Sequence, residues 1–287
     1  MISRQLTLND GCKMPQLGLG LMRFGSEGET ATVLCDAASS GYRLFDCAAI
    51  YGNECEVGEG LAKCGVARED LFVTTKLWNS EQGRERPRAA LEASLNRLGL
   101  ARIDLYLIHW PLPMFDLYVD TWRALIDLKA EGLIGSIGVS NFTIEQLSRI
   151  IDETGVVPVV NQIEMHPRFQ QHALHAFHQQ HGIVSQAWSP FGGGGTGSVP
   201  LLQEPVLTRI AARHDRTPAQ IVLRWLTQSD ASAIPKATGP AHLSANLASF
   251  DFELDNDDLA DIAALDQSDG RSGPDPLTFD VRSFGGS

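Results

Sequence analysis

RPRAALEASLNRLGLARIDLYLIHW, residues 86–110, holds one structural unit whose repetition decides the fold. In its first part Leu91, Leu95 and Leu98 recur at steps of four and three, which lays an apolar stripe along a helix. Its second part, IDLYLIHW (103–110), is a short β-rich apolar run that ends on a histidine and a tryptophan. Seven further runs read in the same way: QLGLG (16–20), YRLFD (42–46), LFVTTK (71–76), IGSIGVSN (134–141), VVNQIE (159–164), IVSQAW (183–188) and SAIPK (232–236). Helix-period segments stand between several of them: TATVLCDAASSG (30–41), YVDTWRALIDLKAEGL (118–133), TIEQLSRIIDETG (143–155) and QQHALHAFHQQHG (170–182).

Strands alternating with helices form a parallel sheet, and strand ends roughly 20–35 residues apart match the length of a βα unit. No Pro/Ser-rich linker divides the chain, so residues 1–287 are expected to form one domain, with a C-terminal loop over about 267–287. Eight such units predict a (β/α)8 TIM barrel. QLTL, the turn signal NDG and KMPQLGLG predict an N-terminal β-hairpin, expected across the barrel bottom. An open doubly wound sheet would place a glycine-rich turn after its first strand. Here Gly18 and Gly20 are followed by Leu21, Met22 and Arg23, and the third glycine is missing. Gly192, Gly194 and Gly197 match G-x-G-x-x-G formally, but no helix opens at once behind them. They read as a flexible loop able to close over a ligand.

Composition narrows the function. The net charge is −12, from 23 basic and 35 acidic residues, with no basic run, which argues against nucleic acid or an anionic membrane as partner. The N-terminus has no signal-peptide core, and no apolar stretch reaches the roughly 18–20 residues of a membrane span. Five cysteines (12, 35, 47, 55 and 64) show no C-x-x-C pair, which suits small thiols in a reducing cytoplasm.

In a barrel of this kind chemistry sits where strands finish. The ends carry Asp46 with Tyr51 beyond it, Lys76, His109, Ser140–Asn141, Asn161–Gln162 and Glu164, Trp188–Ser189, and Lys236. A carboxylate, a phenol, an ammonium and an imidazole therefore converge on one rim. A phenol titrates near 10 and is a poor acid at neutral pH; an adjacent ammonium is expected to lower that value. Asp46 can keep the ammonium charged, and a neutral His109 can hold a substrate oxygen. The set suits protonation of a carbonyl oxygen while a nicotinamide or flavin supplies hydride.

FDCAAIYGNE, TTKLWN, DLYLIHWP, GVSNF, NQIEMHP and IPKA, in this order, resemble the aldo-keto reductases over roughly residues 5–270. The look is nearest to the bacterial diketogluconate reductase-like branch, partly because Trp188 stands where many relatives carry tyrosine. The resemblance implies a catalytic set of Asp46, Tyr51, Lys76 and His109, with Tyr51 as general acid in reduction. It implies NADPH bound in an extended pose over the barrel mouth. Ser140, Asn141 and Gln162 would meet the carboxamide, and Trp188 the nicotinamide ring. Ser189, Lys236, Thr238, His242 and Asn246 would hold the rest of the cofactor. Met22, Trp78 and Trp110 would wall a pocket for a small aldehyde or ketone. The tail after Asp266 would help set substrate choice.

One segment departs from the family. Its phosphate-binding stretch usually reads I-P-K-S with an arginine six residues after the lysine, whereas IPKATGPAHLSAN has Ala237 and His242 there. Arginine offers a permanently charged fork, while histidine is mostly neutral above about 6.5. NADPH stays first, with a weakened preference and NADH also used.

Other signals carry less. His172, His175, His178 and His181 lack the spacing of a zinc site and read as a solvated or partly buried helix face, so no metal is expected. Cys47 reads as packing, and the acid-rich 251–266 as a loop and an N-capped helix. Two other functions compete: a Schiff-base aldolase using Lys76, and a cofactor-binding barrel that senses redox state with little turnover. No long heptad suggests assembly, so a monomer is expected.

Overall fold

The structure, a computed structural model, describes residues 4–22, 28–193 and 199–281. A hairpin of β1 (Gln5–Thr7) and β2 (Lys13–Pro15) comes first. Eight strands follow: β3 (Leu19–Gly20), β4 (Leu44–Asp46), β5 (Phe72–Leu77), β6 (Ile103–Ile108), β7 (Ile134–Ser140), β8 (Val160–Glu164), β9 (Val184–Trp188) and β10 (Ser232–Ala233). Each neighbours the next in chain order, and every pairing is parallel. The first and last meet as well. Gly18 N donates to Ala233 O (2.9 Å), Ala233 N to Gln16 O (3.0 Å) and Gly20 N to Pro235 O (3.1 Å), which closes the sheet on itself. Each of the eight apolar runs carries one strand, and the fold is a (β/α)8 barrel.

The helices are α1 (Glu29–Ser40), α2 (Glu54–Lys63), α3 (Arg86–Leu98), α4 (Tyr118–Ala130), α5 (Ile144–Thr154), α6 (His172–His181), α7 (Pro205–His214), α8 (Pro218–Gln228), α9 (Pro240–Leu247) and α10 (Asn256–Ala263). The last opens on a capping box of Asp255 and Asp258. Not among the expected helices are α2, α7, α8 and α9. Helix α2 is the instructive case, because glycine is a poor helix former. A Cβ on Gly58 would lie 2.6 Å from Leu98 O, and one on Gly60 3.1 Å from Ala31 Cα. Those glycines let α1 and the end of α3 approach the helix closely.

The core has two layers. Leu34, Trp122, Leu125, Ile150 and Leu223 pack with others between helices and sheet. Inside the barrel Leu44, Leu105, Leu107 and Val160 meet Leu8 and Met14 of the hairpin. The hairpin turn is fastened beneath the strands: Asn9 Nδ2 donates to Pro158 O (3.0 Å), and Asp10 accepts from Ser136 Oγ (2.9 Å) and Lys129 Nζ (2.6 Å). The barrel is thus plugged at the N-terminal ends of its strands. Among the described residues no helix is long and apolar enough to cross a membrane.

The histidines of α6 form a partly buried face, as expected, and one of them goes deep. His172 is exposed, but His178 is fully buried. Asn161 Oδ1 accepts from Phe142 N (3.3 Å), so Asn161 Nδ2 is the atom facing His178 Nε2 (3.0 Å), and that nitrogen must accept. His178 Nδ1–H then donates to Ser185 Oγ (2.7 Å), whose hydroxyl donates to His175 Nδ1 (2.8 Å). His175 Nε2–H completes the chain at Ser229 O (3.1 Å). Every member is neutral. Burial, with His175 and His181 nearby, pushes the His178 imidazole down to about 3. The unfolded chain takes up a proton there below about 6.5 and the folded chain does not, so this contribution to stability falls as pH drops through that window. Urea midpoints should show about 2 kcal/mol more loss between pH 7 and 5 than in His178→Gln. Equal pH dependence in both proteins would contradict the chain.

Candidate active site

At the open end, β4 delivers Asp46, and a single turn of 3₁₀ helix, Ala49–Tyr51, brings Tyr51 back over it. Neighbouring β5 delivers Lys76, which is wholly buried. Its three ammonium hydrogens have three acceptors: Asp46 Oδ1 at 2.5 Å, Cys47 O at 2.9 Å and Tyr51 Oη at 3.4 Å. The ammonium also stands 5.1 Å from the centre of the Tyr51 ring. Burial alone would lower the Lys76 value, but the attraction of Asp46 and Tyr51 holds it above the ordinary lysine range. The phenol behaves otherwise than expected. Burial raises Tyr51 above its ordinary value, and the opposing pull of Lys76, itself offset by Asp46, does not overcome it.

His109 follows β6 and is buried edge-on against Trp78 (5.2 Å between centres) and Tyr51 (5.9 Å). Burial, with Lys76 close by, keeps it well below the ordinary histidine value and therefore neutral. Its Nδ1 is buried with no hydrogen-bond partner. A buried N–H without an acceptor is rarer than a bare lone pair, so the proton belongs on Nε2.

Three strands further round, the polar groups satisfy one another. Gln162 Nε2 donates to Asp46 Oδ2 (2.7 Å) and to Gln186 Oε1 (2.7 Å). Ser140 Oγ donates to Gln162 O (2.8 Å). Asn141, at φ 65°, donates from Nδ2 to His109 O (3.1 Å) and Ser140 Oγ (3.0 Å), and its Oδ1 accepts from Trp188 Nε1 (2.9 Å). Asparagine tolerates this left-handed backbone better than most residues.

One cavity of about 620 Å³ covers this end of the barrel. Asp46, Tyr51, His109, Ser140, Asn141, Gln162, Trp188, Ser189 and Lys236 line it, as do Met22, Trp78 and Trp110. Lys76 lies beneath. Thr238 and His242 do not reach the cavity; both are exposed at the start of α9, where His242 Nδ1 lies 3.1 Å from Thr238 O. Asn246 is buried against the Tyr42 hydroxyl. Gly192 lines the cavity, whereas Gly194 and Gly197 lie outside the described residues.

Sequence reasoning missed Gln186 and the wall residues Ile50, Phe191, Pro274 and Phe279. The last two come from the irregular tail. Phe279 packs on Trp110 at 4.3 Å, and Asn79 Nδ2 donates to Val281 O (2.7 Å). The Gly/Pro content marked the tail as a loop and the resemblance gave it a part in substrate choice, but neither singled out Pro274 or Phe279.

A neutral donor imidazole, a phenol on an ion pair and an aromatic-walled pocket are the equipment of a carbonyl reductase, and the chain belongs to the aldo/keto reductase family. The family profile matches residues 16–267. The chain is 48% identical over 274 residues to methylglyoxal reductase DkgA of Salmonella typhimurium, covering 96% of this chain and 97% of that one. It is likewise 48% identical over 278 residues to an aldo-keto reductase of Mycolicibacterium smegmatis, covering 97% and 98%. Among solved structures, a variant of Gox0644 in complex with NADPH superposes with a TM-score of 0.90 at 46% identity, covering 97% of this chain and 99% of that one.

Proposed function

We propose that this protein reduces small aldehydes and ketones to alcohols with NADPH: methylglyoxal-like carbonyls, keto sugars and keto esters. The observation that carries the reading is the arrangement of Tyr51 over the buried Lys76–Asp46 pair, beside a neutral His109, in one apolar-walled cavity. When bound, NADPH supplies the hydride. Trp188, half-buried on the cavity wall, offers an aromatic face for the nicotinamide. Ser140, Asn141 and Gln162 stand beside it for the carboxamide. Both Gln162 N–H groups are engaged, so Oε1 is the atom it has to offer.

The proton path follows from the hydrogen bonds. Tyr51 Oη accepts from Lys76, which leaves its own O–H to point at a substrate oxygen. The raised phenol stays protonated through neutral pH, and the ammonium steadies the phenolate left after transfer. His109 Nε2–H positions the same oxygen. A Schiff-base role for Lys76 requires a free amine, and the Asp46 pairing disfavours one. We place the protein in the cytoplasm as a monomer without nucleic acid or membrane partners; its five free thiols support the compartment, and its net charge of −12 argues against anionic partners.

Lys236, Ser189, Thr238, His242 and Asn246 are assigned to the rest of the cofactor, with His242 and Ala237 in place of arginine and serine weakening NADPH preference. Assays of methylglyoxal, an α-keto ester and a keto sugar with both nucleotides test the whole proposal. NADPH should lead NADH by a modest factor, and His242→Arg should widen the gap about tenfold, the worth of one charge-assisted contact. No turnover with any carbonyl would refute the function; an unchanged gap in His242→Arg would refute the phosphate assignment.

A further inference from the structure

Glu164 is the last residue of β8 and sits in register with Trp188 on β9. It is 1% exposed, yet no lysine or arginine among the described residues forms an ion pair with it. A buried carboxylate without a cation must be held by several donors. Here they are Ser272 N (2.7 Å), Gly273 N (2.9 Å), the Ser272 hydroxyl and His166 Nε2 (3.1 Å). Burial works against the charge, but these hydrogen bonds keep Glu164 below the ordinary carboxylate range.

What they fasten is the C-terminal tail, and the fastening point lies against the indole. A Cβ on Gly273 would come within 2.4 Å of Trp188 Cη2 and 3.1 Å of Glu164 Oε2. Only glycine lets the backbone lie this close to both. The same Ser272 hydroxyl oxygen accepts from Gly193 N (3.0 Å), on the loop that leaves β9. Glu164 thus holds the tail directly and the β9 loop through Ser272, beside the edge of the indole.

We infer that Glu164 is a positioning residue: it latches Ser272 and Gly273 against the indole edge and so fixes the plane that Trp188 offers to the nicotinamide. This rests on the proposed stacking of the cofactor on Trp188. Glutamine at 164 keeps the size but turns one acceptor into a donor facing donors, which opens the latch.

The test uses the full chain. The difference in emission between each protein and its Trp188→Phe counterpart isolates the Trp188 signal, which is then quenched with acrylamide in the absence of nucleotide. Glu164→Gln should raise the Trp188 quenching constant about twofold and the NADPH Kd about tenfold, the scale of a lost charged hydrogen bond. The pH profile of kcat should not move, since Tyr51 and Lys76 are untouched. Ser272→Ala keeps both backbone donors and serves if Glu164→Gln does not fold; smaller changes in the same direction are expected. Unchanged quenching in the folded variants, or raised quenching with an unchanged NADPH Kd, would overturn the inference. If the unaltered protein reduces no carbonyl, the proposed function fails, while quenching and NADPH Kd still decide the latch.

Discussion

Tyr51→Phe is expected to lower carbonyl reduction by about a hundred- to ten-thousandfold, the usual span for loss of a positioned general acid. The NADPH Kd should stay within a few-fold. The substitution removes one oxygen, and Lys76 keeps its other two acceptors, Asp46 Oδ1 and Cys47 O. The ring can still stand by the ammonium and against His109. Loss should therefore fall on the chemical step, seen as a drop in kcat in single-turnover assays. Turnover near that of the unaltered protein would remove Tyr51 from the mechanism.

Lys76→Met should be more damaging, because it strikes stability and chemistry together. Asp46 is 2% exposed and would keep its Gln162 bond while losing its only cation among the described residues. Breaking a buried ion pair from one side costs about 3–5 kcal/mol, and replacing both partners by apolar groups is often close to neutral. Urea unfolding should accordingly show a large loss for Lys76→Met and partial recovery in the Asp46→Leu/Lys76→Met double variant. Both should be inactive. A fully stable single variant would mean that the pair contributes little to the fold.

The sequence was legible where one residue type had one reason to be present. The barrel strands are buried on both faces, so IDLYLI reads as an apolar run broken only by Asp104, and LFVTTK opens on three apolar residues. Asp46, Lys76 and His109 stood out because ionisable groups are rare at the ends of such runs. Helix α2 was illegible because Gly58 and Gly60 answer to close packing by α1 and α3, which local propensity cannot register. Which α6 histidine goes deep was not legible, because the burial of His178 depends on Asn161 and Ser185, on two strands. The direction of the Tyr51 shift was misjudged: a charge neighbour is visible in a sequence, whereas the depth of desolvation is not. Gln186 and Phe279 joined the site through neighbours far away in the chain, Gln162 and Trp110.

The seam of the barrel sets the order in which the molecule can be made. Gln16, Gly18 and Gly20 are synthesised well before their partners Ala233 and Pro235, which come more than two hundred positions later. Until the ribosome has released those residues, β3 has a free edge and the cylinder stays an open fan. Contacts of such separation form late and slowly. Six of the seven strand pairings inside the fan, β3 to β9, can form meanwhile, each between neighbours in the chain. Shortening the chain to before residue 233 would leave a strand edge exposed to other molecules, a hazard of aggregation.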